Sequence, residues 1–129
     1  NFRIMPGQTI ADVQRHIEKY MGGDNVEIEF IKGKEPSIVS PTDTRAFDTL
    51  RRLSVNLDEK NIVAPYLVMG GTDAYKYENV CSNIYRFAPF TVDTALLLTT
   101  HSTNERIPVG QMTQGVTFFK RYIRLMTAE

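Results

Sequence analysis

The stretch Thr100-His101-Ser102-Thr103-Asn104-Glu105-Arg106 places a histidine close in sequence to an amide and a carboxylate. A neutral imidazole is the commonest nitrogen ligand for zinc, and it titrates near neutral pH. On residue type alone, a lone histidine is more often a surface or hydrogen-bonded side chain than a metal ligand, and both readings of His101 stand at this point. Glu105 follows His101 by four residues, the spacing that shares one helix face, but Pro108 argues for a loop there. The other histidine, His16, lies between Arg15 and Glu18 on a charged helix and reads as a solvated residue.

Gly70-Gly71-Thr72-Asp73 follows an apolar run and precedes a short helical pattern. Its backbone amides could face an anion such as a substrate carboxylate, although a tight turn followed by a cap is the plainer reading of the spacing. Arg3 has the fork that clamps a carboxylate through two bonds, and the plainer reading is a solvated arginine on a half-exposed segment. Cys81 is the single cysteine, so no internal disulfide forms, and no neighbouring His or Lys pattern marks it as a nucleophile. No nucleophile elbow, phosphate loop or zinc-finger spacing occurs.

Behind these residues the pattern predicts an α/β chain. Residues 1–5 alternate like a strand and open without a start methionine or leader, which looks like a cut through an existing structure. Thr9 with Asp12 forms a Thr-x-x-acid cap, and Ile10, Val13, Ile17, Tyr20 and Met21 recur at helical spacing until Gly22-Gly23 stops the helix. Residues 26–31 alternate again as a second strand. Residues 33–41, with Pro36 and Pro41, read as a domain crossing. Ser40-Pro41-Thr42-Asp43 is expected to start a helix with Ala46, Leu50 and Leu53, and Phe47 beside them, facing inward. Residues 62–69 read as a buried strand bent at Pro65, and residues 83–87 as another. Thr72 would cap a short helix through Tyr77, and Pro108 would begin a closing helix with Val109, Met112, Val116, Phe119, Ile123 and Met126 as its inward face.

The 129 residues suit one domain by length, and fifteen Lys and Arg balance fifteen Asp and Glu. With no excess positive field, nucleic acid and membrane partners are disfavoured. Short apolar runs such as residues 95–98 fall far below the roughly 20 residues of a membrane span. The chain therefore reads as soluble, with the compartment open and the cytoplasm favoured.

Taken in order, Asn1-Phe2-Arg3-Ile4 with Pro6-Gly7-Gln8-Thr9, then Ser40-Pro41-Thr42-Asp43, Ala64-Pro65-Tyr66-Leu67-Val68-Met69-Gly70-Gly71-Thr72-Asp73, Asn83-Ile84-Tyr85-Arg86-Phe87 and His101-Ser102-Thr103-Asn104-Glu105-Arg106-Ile107 resemble the C-terminal part of the carboxypeptidase S and aminoacylase family. These are co-catalytic zinc metallopeptidases related to carboxypeptidase G and succinyl-diaminopimelate desuccinylase. The resemblance implies that residues 1–32 end a ferredoxin-like lid or dimerisation domain of strand-helix-strand type. Residues 36–129 would be the returning half of the catalytic α/β domain.

By the same resemblance, His101 corresponds to the family's last zinc ligand and Arg3 to the lid arginine that binds the substrate carboxylate. Gly70, Gly71 and Thr72 correspond to the turn lining the substrate pocket, and Asn104 and Glu105 take supporting roles. The other ligands, and the glutamate that serves as general base for the metal-bound water, belong upstream of this sequence. The parent would carry two zinc ions and hydrolyse an amide bond in a peptide or N-acyl amino acid. A piece with one histidine is not expected to bind zinc tightly or to be active, and its uncovered apolar faces predict a homodimer. The rival expectation is a non-catalytic binding or assembly module from a truncated gene product.

Overall fold

The computed structural model describes residues 1–21, 23, 25–68 and 70–128. Its regular elements are helical: α1 (Ile10–Met21), α2 (Arg45–Val55), a 3-10 turn (Asp73–Tyr77), α3 (Thr94–Leu97) and α4 (Val109–Thr127). Among the described residues there is no strand, only an isolated antiparallel bridge between Gly23 and Val26.

The expected α/β class, with a strand-helix-strand lid followed by half of an α/β catalytic domain, is therefore corrected to a helical one. Residues 1–5, 26–31, 62–68 and 83–87 carry no ladder, and Met69 lies outside the described residues. The reason is physical. Alternation states which side chains would face a core if a ladder formed, but a strand becomes one only when a neighbour takes its amides and carbonyls.

The chain divides into two units, one of residues 1–40 with 68–84 and the other of residues 41–67 with 85–129. In the first, α1 starts as the cap pattern dictates. The Thr9 hydroxyl accepts the Asp12 amide at 3.2 Å, and the Asp12 carboxylate accepts the Thr9 amide at 2.8 Å. The Ile10 amide is held by the Glu35 carboxylate at 3.1 Å. Ile10, Val13 and Ile17 are half-buried while Tyr20 and Met21 are exposed, and no residue of α1 is fully buried. Gly22 of the expected glycine stop lies outside the described residues.

The second unit holds the core. Leu50 and Leu53 of α2 meet Phe118 of α4, with Tyr85 and Tyr122 packed against them. The start of α2 differs from expectation. Thr44 is its cap, accepting the Phe47 amide at 3.1 Å, because Ser40 is engaged elsewhere, accepting the Ile84 amide at 2.8 Å and donating to the Ile84 carbonyl at 2.9 Å within the first unit. The inward face of α4 differs too. Gly115 and Phe118 are buried, whereas Val109, Met112, Val116, Phe119 and Ile123 are exposed.

Gly115 sets that choice. A Cβ there would lie 2.8 Å from the Phe90 ring, so only glycine lets that ring sit against the helix. Two glutamines on the same side pin the approaching segment, Gln111 accepting the Thr91 amide at 2.9 Å and Gln114 donating to the Pro89 carbonyl at 3.1 Å. Arg45, at the start of α2, donates to the Leu125 and Ala128 carbonyls at 2.6 and 2.9 Å and so fastens the far end of α4.

Candidate functional site

His101 follows α3, whose cap is the Asp93 carboxylate accepting the Leu96 amide at 2.7 Å. The sequence reading missed this helix. Asp93 carried its signal, although four residues give no periodicity to read. The chain then winds down through successive turn bonds, Thr100 amide to Leu97 carbonyl at 3.1 Å and Ser102 amide to Thr99 carbonyl at 3.0 Å. His101 is the one non-glycine described residue in the left-handed region, at φ 59°. Such a conformation costs on the order of 1 kcal/mol and persists only where surrounding bonds hold it.

Glu105 supplies such a bond. Its carboxylate accepts the His101 amide at 3.1 Å, while its own amide donates to the Ser102 carbonyl at 3.2 Å. The Asn104 carbonyl accepts from the Arg106 guanidinium at 3.1 Å, closing the turn on its other side. Residues 105–108 are not helical, so His101 and Glu105 meet through the backbone rather than on a helix face. The imidazole itself is exposed and makes no hydrogen bond or ion pair with the described residues.

Arg3 and the turn at Gly70, Gly71 and Thr72 fall in the first unit, and His101, Asn104 and Glu105 in the second. Arg3 is exposed and has no ion pair among the described residues. Thr72 caps the 3-10 turn, accepting the Ala74 amide at 3.3 Å, as its spacing leads one to expect. Beside it, Lys76 pairs with Asp73 at 2.8 Å, and Lys34 lies 4.1 Å from the centre of the Tyr75 ring.

Zinc does not fit this donor set. Among the described residues, no group of three or more His, Cys, Asp and Glu side chains lies close enough to hold a metal ion. His101 offers one nitrogen, where a tight site needs about three or four protein ligands. No described helix is long and apolar enough to cross a membrane.

Comparison with known proteins adds what geometry alone does not. The chain is 30% identical over 125 residues to the probable carboxypeptidase S-like 2 protein of Dictyostelium discoideum, covering 96% of this chain and 24% of that one. It is 32% identical over 127 residues to the N-fatty-acyl-amino acid synthase/hydrolase PM20D1 of Homo sapiens, again 96% of this chain and 25% of that one. The chain is a distant homologue of carboxypeptidase S. The yeast protein of that name, from Saccharomyces cerevisiae, matches at 30% over 107 residues, 77% of this chain and 19% of its own. The chain thus spans about a quarter of the length of the curated relatives that it matches along nearly all of its own. No family model matches it, and no solved structure does.

Proposed function

We propose that this chain is part of a hydrolase of the carboxypeptidase S kind, cleaving an amide bond beside a free carboxylate in a peptide or N-acyl amino acid. The observation that carries the reading is homology over 96% of the chain to proteins named for carboxypeptidase and N-acyl-amino-acid chemistry. Residues 1–32 are read as the end of a lid and residues 36–129 as part of the catalytic domain. His101 is the family's last zinc ligand. Its loop is tied by Glu105 at the backbone, and its exposed imidazole has both nitrogens open to a ligand role.

The chain's own residues take positioning roles. Arg3 binds the substrate carboxylate through its fork, and the Gly70–Thr72 turn lines the place where that end of the substrate lies. Asn104 and Glu105 hold the loop that presents His101. Proton transfer and attack on the carbonyl need groups outside this chain, so the isolated 14.7 kDa piece is inactive in this reading.

A graft tests it: the Homo sapiens relative with its matched 127 residues replaced by this chain. Hydrolysis of an N-acyl amino acid by the graft, with zinc content and turnover both reduced at least 100-fold by His101→Ala, is the expected result. Arg3→Lys should raise KM about 10- to 100-fold with little change in kcat, since one charged bond of a bidentate pair is lost. A folded graft that binds zinc equally well with and without His101 would remove the metal assignment. The binding-module reading would then take its place.

A further inference from the structure

Residues 92–107 carry His101 but contain no buried residue, and among the described residues α3 packs against none of the other helices. Their hydrogen bonds among the described residues also stay inside the segment. Asp93 caps α3, the Thr99 hydroxyl donates to the Leu96 carbonyl at 2.7 Å, and Glu105 holds the His101 amide. Such a segment has a shape of its own, yet nothing within it fixes where that shape sits on the second unit.

Both ends are fastened at the start of α4, and one residue serves both. Gln111 accepts the Thr91 amide through Oε1 at 2.9 Å and donates its own amide to the Pro108 carbonyl at 3.0 Å. Three residues on, Gln114 donates through Nε2 to the Pro89 carbonyl at 3.1 Å, and the Phe90 ring between these bonds lies where only Gly115 leaves room. Pro89 is buried, so its carbonyl needs a protein donor.

The two glutamines have opposite tasks. A backbone amide can only donate and a backbone carbonyl can only accept, so Gln111 works through its side-chain oxygen and Gln114 through its nitrogen. Glutamate keeps the first task and fails the second, since a carboxylate has acceptors and no donor. Helix propensity does not separate the two substitutions, because glutamate and glutamine are nearly equal helix formers.

We propose that Gln111 is a positioning residue for His101, stapling both ends of residues 92–107 to α4, with Gln114 and the contact of Phe90 on Gly115 holding the entry beside it. The proposal rests on the functional reading of His101 given above. A segment whose ends are free displaces the imidazole, and a misplacement of about 1 Å costs on the order of 100-fold in rate.

Alanine and glutamate substitutions test it, in the isolated chain by backbone amide NMR relaxation and in the graft by turnover. With both ends held, Thr100 and Ser102 should show order parameters of about 0.85, falling below about 0.6 in Gln111→Ala and in Gln114→Glu but not in Gln111→Glu. In the graft, Gln111→Ala should lower kcat at least about 10-fold with KM within about 2-fold, since the imidazole and not the grip on the carboxylate is displaced. Gln111→Glu should restore that kcat. Where Gln111→Ala unfolds the second unit, Gln111→Glu against Gln114→Glu carries the comparison. Order parameters that stay high in Gln111→Ala and Gln114→Glu, or that are already low in the unaltered chain, overturn the proposal. Equal losses in the two glutamate variants overturn it too, because they mark a role in helix stability only. Loosened residues 92–107 in the isolated chain, together with unchanged turnover of the graft or a graft without hydrolysis, keep the staple and remove the functional reading of His101.

Discussion

Helices α1 and α2 are almost the same object locally and opposite objects in the fold. They have 12 and 11 residues, each starts at a threonine whose hydroxyl accepts a first-turn amide, and each has an acid in its first turn and a base in its last. Yet α2 buries Thr49, Leu50, Leu53 and Ser54, and α1 buries nothing. The difference lies in what each faces. Across from α2 stands α4 with Phe118, whereas the ties of α1's unit are polar and exposed: Glu35 on the Ile10 amide, and Lys34 on Glu78 at 4.0 Å. Caps decide where a helix begins, and an apolar partner decides whether it resists unfolding.

The strongest way to break this comparison is to remove that partner. Phe118 is 2% exposed, and Phe118→Ala should cost about 3–5 kcal/mol, abolishing cooperative unfolding of the second unit while the amide exchange of α1 stays as it was. An unchanged denaturation curve would mean that the α2–α4 core is not what holds that unit. Gly115→Ala comes next, since its new methyl would meet the Phe90 ring at 2.8 Å. About 1–3 kcal/mol of destabilisation is expected, recovered in part by combining it with Phe90→Leu in a double-mutant cycle.

That glycine also explains which parts of the fold were legible. The starts of α1 and α4 and the Thr72 cap followed from local rules, because a threonine hydroxyl or a proline acts on neighbours a few residues away. The inward face of α4 did not. Reading apolar size selected Val109, Met112, Val116, Phe119, Ile123 and Met126, of which only Met126 is half-buried, whereas the packed face is set by a missing side chain at Gly115 and by two glutamines, contacts with residues 20–25 positions away. The strands failed for the same reason, since a ladder is made by a distant neighbour that periodicity does not reveal. At the candidate site, the loop around His101 was legible from Pro108, but its left-handed turn was not, because nothing in the histidine itself requires it.

Thr44 offers a finer test of α2, because its hydroxyl lies in a relay. The Phe47 amide donates to Thr44, and Tyr85 spends its only proton on the Pro41 carbonyl at 2.6 Å, so Thr44 must donate to the Tyr85 oxygen at 2.5 Å. Thr44→Ala should cost about 1 kcal/mol, with Thr44→Ser restoring most of it. A loss no larger than that of Tyr85→Phe, with the two additive, would mean that the relay adds nothing to the cap.

The smallest effect belongs to α1 and turns on charge. Hydrogen bonds from the Thr9 side chain and amide, and the Arg15 guanidinium, hold the Asp12 carboxyl below its ordinary value. A carboxyl with a lowered folded pKa contributes stability that is present above its unfolded value of about 4 and is lost as pH falls through the folded value. Amides 10–14 should therefore show protection that is flat above about pH 5 and declines below about pH 4, and Asp12→Asn should remove that dependence. Asp48 is likewise held down, by Arg51 first and Arg52 after it, so its α2 titrates in the same direction. There the packed Leu50 and Leu53 remain when the charge is gone, and α2 should keep its protection at about pH 3 while α1 loses its own. Equal losses in the two helices would show that burial does not separate them.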